Sequence, residues 1–315
     1  MAATGSTKAI LAALIANAGI AIAKFAGFMI TGAASMLAEA VHSVADTTNQ
    51  ALLLWGGRAA QKAPTSQHPF GYGRERYFWA FVVAVLLFTV GSLVALREGA
   101  HKLADPHPLT SPEWAMGILA FGVLLESYSF RTAIVAAREI KGSQGWWSFI
   151  RHSRNPELPV VLLEDLAALL GLGIAFTGVG LAAWTGDARF DAVGSLAVGV
   201  LLAVVAVVLA VEMKSLLIGE GASQADESRI RGLIESDETV LRLIHMRTQH
   251  IGPEEVLLAA KVEFASPMSV REIVDAINKI EERIRDELPV ARVIYIEPDI
   301  VASDAHGGSV RSTDS

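Results

Sequence analysis

The segment Met36-Leu-Ala-Glu-Ala-Val-His-Ser-Val-Ala-Asp-Thr-Thr-Asn-Gln-Ala-Leu-Leu-Leu-Trp55 has the length of a helix and places His42 and Asp46 in a mostly apolar run. Residues four apart lie on one face of a helix, so the imidazole and the carboxylate are predicted to be neighbours. Ionisable groups at membrane depth cost at least about 2–3 kcal/mol each, and they persist mainly where they face a cavity or a partner. The pair therefore indicates a functional site, although it could also be a hydrogen-bonded pair that holds two helices together.

A second acidic pair, Glu164 and Asp165, lies in another apolar run, Pro159 to Phe176. Imidazole nitrogens and carboxylate oxygens are ligands that zinc and related divalent cations take. Two facing helices that carry these pairs are therefore predicted to build one metal site inside the membrane.

The composition indicates a multispan membrane protein. The 315 residues are 52% hydrophobic, and the mean hydropathy is +0.43, which is too apolar for one soluble domain of this length. The net charge of −7 and the lack of a basic stripe argue against nucleic acid as a partner. Because the chain has no cysteine, disulfides and thiolate metal sites are excluded, and His, Asp and Glu remain as candidate ligands.

Six apolar runs of about 20 residues or more are predicted to span the bilayer. They are Ile10 to Ile30, Ser35 to Trp55, Tyr77 to Leu96, Trp114 to Val135, Leu158 to Trp184 and Ala192 to Leu217. The loops after the second and fourth runs are rich in Arg and Lys, whereas the opposite side holds only Arg97, Lys102 and Arg189. The positive-inside rule therefore predicts a transport domain, residues 1–217, with both termini in the cytoplasm.

The rest of the chain has a different pattern. Helical and strand-like segments alternate at Asp226 to Glu235, Val240 to Gln249, Glu255 to Phe264, Val270 to Glu287 and Val290 to Ile296. This order predicts a small cytoplasmic α+β domain of ferredoxin-like type over residues 218–301. Residues 302–315 are rich in Gly, Ser and Asp and are predicted to be disordered.

Five motifs in order carry a family resemblance. They are His42-Ser-Val-Ala-Asp46, His68-Pro-Phe-Gly-Tyr-Gly-Arg-Glu75, Glu164-Asp165 before Ala167-Ala-Leu-Leu-Gly171, Asp191-Ala-Val-Gly-Ser195, and Leu216-Leu-Ile-Gly-Glu-Gly-Ala-Ser223. The chain resembles the cation diffusion facilitators, which are dimeric antiporters of divalent metals and protons. The resemblance implies a metal site formed by His42, Asp46, Asp165 and Glu164, and a homodimer formed through the tail domain.

The sequence departs from the family pattern at three places. Zinc transporters of the family usually carry a histidine or aspartate where this chain has Val161, so Glu164 or water is the candidate fourth ligand, unless Glu164 only orients another ligand. A second family site, in the loop after the second run, is reduced to His68 because Thr65 and Tyr72 replace its other ligands. Tail positions at which some relatives bind metal hold Lys261, Ile296 and Pro298. We therefore expect neither a closed loop site nor a binuclear centre in the tail.

Three other polar features have more than one interpretation. Glu126 in the fourth run either lines the ion path or, as we favour, pairs with an arginine such as Arg131. Asn49 could add a neutral oxygen ligand and so favour a harder cation such as manganese. The histidines outside the two motifs, including His250, are interpreted as surface residues.

The favoured function is export of a divalent cation, with zinc first, from the cytoplasm in exchange for protons. Manganese, iron or cobalt export on the same fold is the alternative, and a membrane metal sensor that does not transport is a weaker one. The chain lacks the His-Glu-x-x-His pattern of common metallopeptidases, so no enzymatic activity is predicted. We expect no permanently bound cofactor, a transported cation and protons as the ligands, and a location in the lipid bilayer of a bacterial inner membrane.

Overall fold

The computed structural model describes residues 2–109, 111–153 and 156–300. The chain forms two compact units, and the division lies between Ile218 and Gly219. The first unit is helical and the second contains a small sheet. The segment predicted to be disordered, residues 302–315, lies outside the described residues.

Six long helical segments make up most of the first unit. Its elements are α1 Ala2–Thr31, α2 Ala34–Ala59, α3 Glu75–Leu86, a π-helical turn Leu87–Ser92, α4 Leu93–Ala104, α5 Pro112–Lys141, the short α6 Trp146–His152, α7 Glu157–Thr185 and α8 Arg189–Ile218. Helix α3, the π-helical turn and α4 follow one another without a break, so they count as one segment. At 1.5 Å per residue, each long segment exceeds the roughly 30 Å thickness of a bilayer core.

Four of these segments are apolar enough along their described length to be membrane spans by composition: Glu75–Ala104, Pro112–Arg138, Glu157–Thr185 and Arg189–Ile218. In α1 the apolar stretch Asn17–Thr31 is shorter. The polar residues of α2, which include Glu39, His42 and Asp46, lower the hydropathy of that helix. Six membrane spans therefore remain a prediction, because α1 and α2 do not meet these criteria along their described length. The first unit is helical and contains membrane spans, as expected.

Helices α4 and α8 pack with their backbones in close contact. A Cβ atom added to Gly99 would lie 2.8 Å from the Leu196 nitrogen, and one added to Gly199 would lie 2.9 Å from the Leu96 nitrogen. Ser195 Oγ also donates a hydrogen bond to the Ala95 carbonyl, at 3.0 Å. Small residues permit such approach in membranes, where no hydrophobic force drives helices together. The α4–α8 pair thus forms a closely packed scaffold beside α2.

The start of α2 is fixed to this scaffold by a buried ion pair. Asp191 Oδ2 on α8 accepts a hydrogen bond from the Ala34 amide at 2.8 Å and lies 2.9 Å from Lys102 Nζ on α4. Lys102 Nζ also donates to the Gly32 carbonyl, at 2.9 Å. Lys102, which the sequence analysis counted among the charges on the side opposite the cytoplasm, is therefore buried in an ion pair near the end of α4.

The second unit has the order α9 Gln224–Glu235, β1 Val240–Gly252, β2 Glu255–Phe264, α10 Val270–Glu287 and β3 Val293–Pro298. Strands β1 and β2 are antiparallel, β2 and β3 are parallel, and the sheet order is β1-β2-β3. Buried and partly buried side chains alternate along β2, whose inward face packs with Ile280 and Ile284 of α10. The α+β prediction is confirmed. Among the described residues the sheet has three strands, one fewer than the full ferredoxin-like pattern.

Strong capping explains why α10 begins where the sequence predicts. Ser269 Oγ accepts a hydrogen bond from the Glu272 amide, and Glu272 Oε2 accepts one from the Ser269 amide. This reciprocal capping box satisfies two amides that a helix start otherwise leaves without a partner. The hydrogen bond from the Ser269 backbone and that from its side chain also hold the pKa of Glu272 below its usual value.

Asp237 links the end of α9 to α10 and gives a test of the second unit. Its carboxylate accepts hydrogen bonds from Thr239 Oγ1 at 2.7 Å and from Arg283 at 2.9 Å. Burial raises the pKa of Asp237, but the Thr239 hydrogen bonds and the Arg283 charge outweigh burial and leave that pKa below its usual value. Because the folded-state pKa is the lower one, ionised Asp237 stabilises the fold above its unfolded-state pKa, and this contribution is lost as the pH falls through the folded-state value.

We expect Asp237→Asn to lower the free energy of unfolding of a fragment spanning residues 219–300 by about 1–3 kcal/mol at pH 7, since charged hydrogen bonds are lost. The difference from wild type should shrink as the pH falls below about 4, near the reference pKa of aspartate. Urea unfolding at several pH values measures both effects. Asp286→Asn, on an exposed part of α10, is the control. Equal stability of Asp237→Asn and wild type at pH 7 would contradict the proposed link.

Candidate metal site

A row of buried polar side chains runs along one face of α2. His42, Asp46 and Asn49 follow one another at spacings of four and three residues, and all three are buried. His42 Nδ1 lies 3.5 Å from Asp46 Oδ1. The structure therefore brings His42 and Asp46 together, and it places Asn49, also a candidate from the sequence, on the same face one turn further along the helix.

The two neighbouring carboxylates of α7 contact two different helices. Glu164 Oε1 accepts a hydrogen bond from Asn49 Nδ2 at 2.6 Å, so Glu164 faces α2. Asp165 Oδ2 accepts one from Ser129 Oγ on α5 at 2.9 Å. Consecutive helical residues differ by about 100° in direction, which explains why the two carboxylates have different partners. Asp46 is nevertheless close enough to Glu164 and Asp165 for their charges to interact.

Several polar atoms on this face of α2 have no hydrogen-bond partner among the described residues. They are both ring nitrogens of His42, Asp46 Oδ1 and Asn49 Oδ1. A buried polar group without a partner typically costs about 1–3 kcal/mol, so few proteins contain several together. Nitrogen and oxygen lone pairs gathered on one buried face are what a divalent cation requires from a protein.

The described residues do not contain three His, Asp or Glu side chains grouped tightly enough to hold one metal ion. What the structure brings together is two pairs, His42 with Asp46 and Asn49 with Glu164. Val161 packs instead against an apolar cluster that includes Ala137 on α5 and Phe149 on α6. The four-residue ligand set of His42, Asp46, Glu164 and Asp165 thus remains a prediction, for which the helices would have to move closer.

Two buried charges beside this site escaped the sequence analysis. Lys24 on α1 and Glu39 on α2 are fully buried and lie 3.1 Å apart, measured from Nζ to Oε2. Their signal in the sequence was present, because Lys24 is the only charged residue between Ile10 and Ile30. Glu126 is buried as well, and within the described parts of the chain no ion pair joins it to Arg131, which is exposed. The favoured pairing of Glu126 with that arginine was therefore wrong.

The other candidate positions form local contacts. Thr65 Oγ1 and Tyr72 Oη lie 3.3 Å apart, and the His68 ring lies against the Tyr72 ring with 4.6 Å between centroids. In the second unit, Lys261 Nζ lies 2.8 Å from Asp299 and 3.1 Å from Glu297. The Asp299 hydrogen bond is the largest cause that raises the pKa of Lys261. His250, expected at the surface, is buried, and its Nδ1 lies 3.4 Å from the Gly252 carbonyl.

Each of the two units matches a known family model. Residues 10–218 match the family model described as the cation efflux transmembrane domain, and residues 222–299 match the cytoplasmic domain of cation efflux proteins. The chain belongs to the cation efflux family. The resemblance to cation diffusion facilitators is confirmed, and this cation efflux protein is an integral membrane protein. Its family consists of transporters and not of enzymes.

Three relatives illustrate how similarity is distributed. The cation efflux protein is 34% identical over 262 residues to the mouse protein "Proton-coupled zinc antiporter SLC30A9, mitochondrial", covering 82% of this chain and 46% of the relative. It is 31% identical over 268 residues to "Metal tolerance protein C4" of Arabidopsis thaliana, covering 84% and 59%. It is 22% identical over 273 residues to "Cation-efflux pump FieF" of Pectobacterium atrosepticum, covering 86% and 85%. The chain thus spans about half the length of the first two relatives.

Proposed function

We propose that this protein exports a divalent metal cation from the cytoplasm, with zinc as the first candidate, through a site formed by His42, Asp46, Glu164 and Asp165. One observation carries the proposal: His42, Asp46 and Asn49 on one face of α2 have buried nitrogen and oxygen atoms without a hydrogen-bond partner among the described residues, and Asn49 on that face contacts Glu164 of α7. The names of two relatives, a zinc antiporter and a metal tolerance protein, support metal export and zinc in particular.

The donor atoms of the site favour zinc but leave a second candidate. One imidazole and two or three carboxylates suit the tetrahedral nitrogen and oxygen coordination of zinc. The Asn49 carbonyl oxygen, which lacks a partner among the described residues, could add a neutral oxygen ligand. Oxygen ligands favour harder cations, so this oxygen is the specific reason to keep manganese, and with it iron and cobalt, as alternatives.

Export of a divalent cation requires an energy source. Moving two positive charges out against an inside-negative potential costs about 4.6 kcal/mol per 100 mV, whereas each entering proton returns about 2.3 kcal/mol per 100 mV and its share of the pH gradient. His42 is the proposed coupling residue, because only a neutral imidazole binds metal, so protons and metal compete for its ring nitrogens. We propose that metal displaces protons from the site facing the cytoplasm and that protons displace metal on the other side.

Membrane vesicles provide the test of this proposal. In everted vesicles the proposed topology leaves the second unit outside, so exported metal accumulates inside. We expect uptake of zinc that increases when the vesicle interior is made acidic, and slower uptake of manganese, iron and cobalt. A proton ionophore should reduce zinc uptake. Zinc uptake that is the same with and without the protein would overturn the proposed function.

The second unit is proposed to join two copies of the protein. Its three-stranded sheet exposes large apolar side chains, including Leu241 on β1 and Tyr295 on β3. The match to the family's cytoplasmic domain supports a homodimer, and two-fold dimers are the commonest assembly of soluble oligomers.

The membrane is proposed to be a bacterial inner membrane with both termini cytoplasmic, although the name of the mouse relative places that protein in mitochondria.

We expect a fragment spanning residues 219–300 to sediment as a dimer at micromolar concentrations. Tyr295→Glu should shift the fragment towards monomer, because it places a charge on the exposed apolar face. Analytical ultracentrifugation over a range of concentrations measures the shift. Arg271→Glu, which changes the charge of an exposed residue on α10, is the control. A fragment that remains monomeric at the highest concentration would argue against dimerisation through this unit.

A further inference from the structure

The buried lysine beside the metal site has no role in the function proposed so far. Lys24 Nζ lies 3.1 Å from Glu39 Oε2 and donates a hydrogen bond to Ser43 Oγ at 2.8 Å. Both charged side chains are at most 1% exposed. An ion pair at this depth is often no more stable than a well-packed apolar pair would be. Stability alone is therefore a weak reason for a lysine at this position.

The pair belongs to the same row of polar side chains as the metal site. Glu39 precedes His42 by one turn on α2, and Ser43 follows His42 directly. Glu39 Oε1 is buried without a hydrogen-bond partner among the described residues, and a Cβ atom added to Gly171 would lie 2.7 Å from it. Gly171 therefore leaves room for this carboxylate against α7, the helix that carries Glu164 and Asp165.

A third oxygen ligand is available from α5. Glu126 is buried and close enough to both Lys24 and Glu39 for their charges to interact. The Lys24 ammonium thus contacts the Glu39 carboxylate and the Ser43 hydroxyl, and Glu126 on α5 is the candidate for a further carboxylate ligand. Carboxylate and hydroxyl oxygens are the ligands that hard and borderline divalent cations accept.

The two groups of polar side chains, His42 with Asp46 and Glu39 with Ser43, follow one another along α2, which packs against α7. Asn49 contacts Glu164 near one end, and Glu39 lies against Gly171 nearer the start of α2, so the two helices run antiparallel. From Asn49 to Glu39 the row covers about 15 Å of helix axis. If the cation follows this row from His42 and Asp46 towards the start of α2, it passes Glu39 one turn further on. The proposed topology places that end of α2 on the side away from the cytoplasm.

We propose that Glu39, Ser43 and Glu126 form a second, transient binding site for the divalent cation on its way out. When no cation is bound, the Lys24 ammonium occupies this site, and the passing cation displaces it. This inference rests on the proposed function for the direction of movement. The ammonium and the metal compete for the same oxygens, so the pair closes the path when no metal passes. The flexible four-carbon stem of lysine allows the ammonium to leave and return.

Removing the ammonium should convert the transient site into one that retains a cation. We expect purified full-length Lys24→Gln to bind one more Mn²⁺ per protomer than wild type, since Mn²⁺ suits oxygen ligands. The loss of the electron paramagnetic resonance signal of free Mn²⁺ measures this binding. Zinc export by the same variant should slow about 10-fold or more, the scale on which a fixed charge in a low-dielectric path changes ion rates. Wild-type Mn²⁺ stoichiometry in folded Lys24→Gln overturns the proposal.

Lys102→Gln is the matched control, because it removes the ammonium from a second buried lysine–carboxylate pair, Lys102 with Asp191. There the Ala34 amide still donates to Asp191, so no further Mn²⁺ should bind. Should Lys24→Gln fail to fold, Lys24→Gln combined with Glu39→Gln removes both charges and keeps the side-chain volumes similar. That double variant should bind Mn²⁺ as wild type does but export zinc more slowly, and export at the wild-type rate overturns the proposal.

A third background separates this inference from the proposed function. In His42→Ala the first site is damaged, but adding Lys24→Gln should still produce the additional Mn²⁺ equivalent. If wild type binds no metal that depends on His42, the proposed function fails, whereas the additional equivalent still supports the second site. If metal binding depends on His42 but Lys24→Gln adds nothing, only the second site fails.

Discussion

Replacing either His42 or Asp46 by alanine is expected to reduce zinc export by at least about 100-fold, beyond the 10–100-fold typical of residues that only orient a ligand. Each change removes a donor atom from the buried face of α2. Neither is expected to unfold the helix, because alanine is the best helix former and the described residues provide no hydrogen bond to the His42 ring that the change could break. The loss should therefore appear in export and not in the amount of protein in the membrane.

Initial rates of zinc uptake into everted vesicles, normalised to the amount of inserted protein, measure this effect. Thr48→Ala is the matched control, since Thr48 lies on the exposed face of the same helix and bonds only to the Val44 carbonyl among the described residues. The control should export zinc at the wild-type rate. Near-wild-type uptake by both His42→Ala and Asp46→Ala would exclude this face of α2 as the metal site.

The elements of the fold were largely predictable, because they depend on local patterns. The bounds of β2 and α10 agree with the alternation of Glu255 to Phe264 and with the amphipathic run that follows Ser269. The third predicted span ended at Leu96, whereas the helix continues to Ala104. The polar residues after Leu96 indicated a loop, but Lys102 is buried against Asp191. A contact between residues so distant along the chain leaves no local signal.

In the candidate site, too, the arrangement within one helix was predictable and the contacts between helices were not. The His42–Asp46 pair follows from a spacing of four within one helix, and the structure places the two side chains 3.5 Å apart. The partners of Glu164 and Asp165 depend on which helices lie on either side of α7, and the sequence does not contain that information. Lys24 was conspicuous as a lone charge in its apolar run, but its pairing with Glu39 was missed, since the two residues lie on different helices.

Glu164 is the ligand on which the family pattern and this chain differ, and Glu164→Gln isolates its charge. Glutamine has nearly the same shape and retains an oxygen that can accept the hydrogen bond from Asn49 Nδ2. The change therefore replaces an ionised ligand by a neutral amide and alters little else. If Glu164 is the fourth ligand, zinc export should fall by at least about 100-fold; if it only orients Asn49, the cost should stay within the 10–100-fold range or below. We expect the larger loss.

A second substitution tests whether the loss concerns coordination. Val161 lies one turn before Asp165 on α7, and it packs on the side of α5 on which Asp165 meets Ser129. Val161→His should therefore supply a nitrogen near Asp165, restore zinc export to Glu164→Gln and shift the preference from manganese towards zinc. Competition between zinc and manganese for uptake into vesicles measures this preference. Val161→Leu, which adds volume without a ligand, should restore nothing. If Glu164→Gln exports every tested metal at the wild-type rate, Glu164 is not a ligand, and water then completes the coordination of a metal held by His42, Asp46 and Asp165.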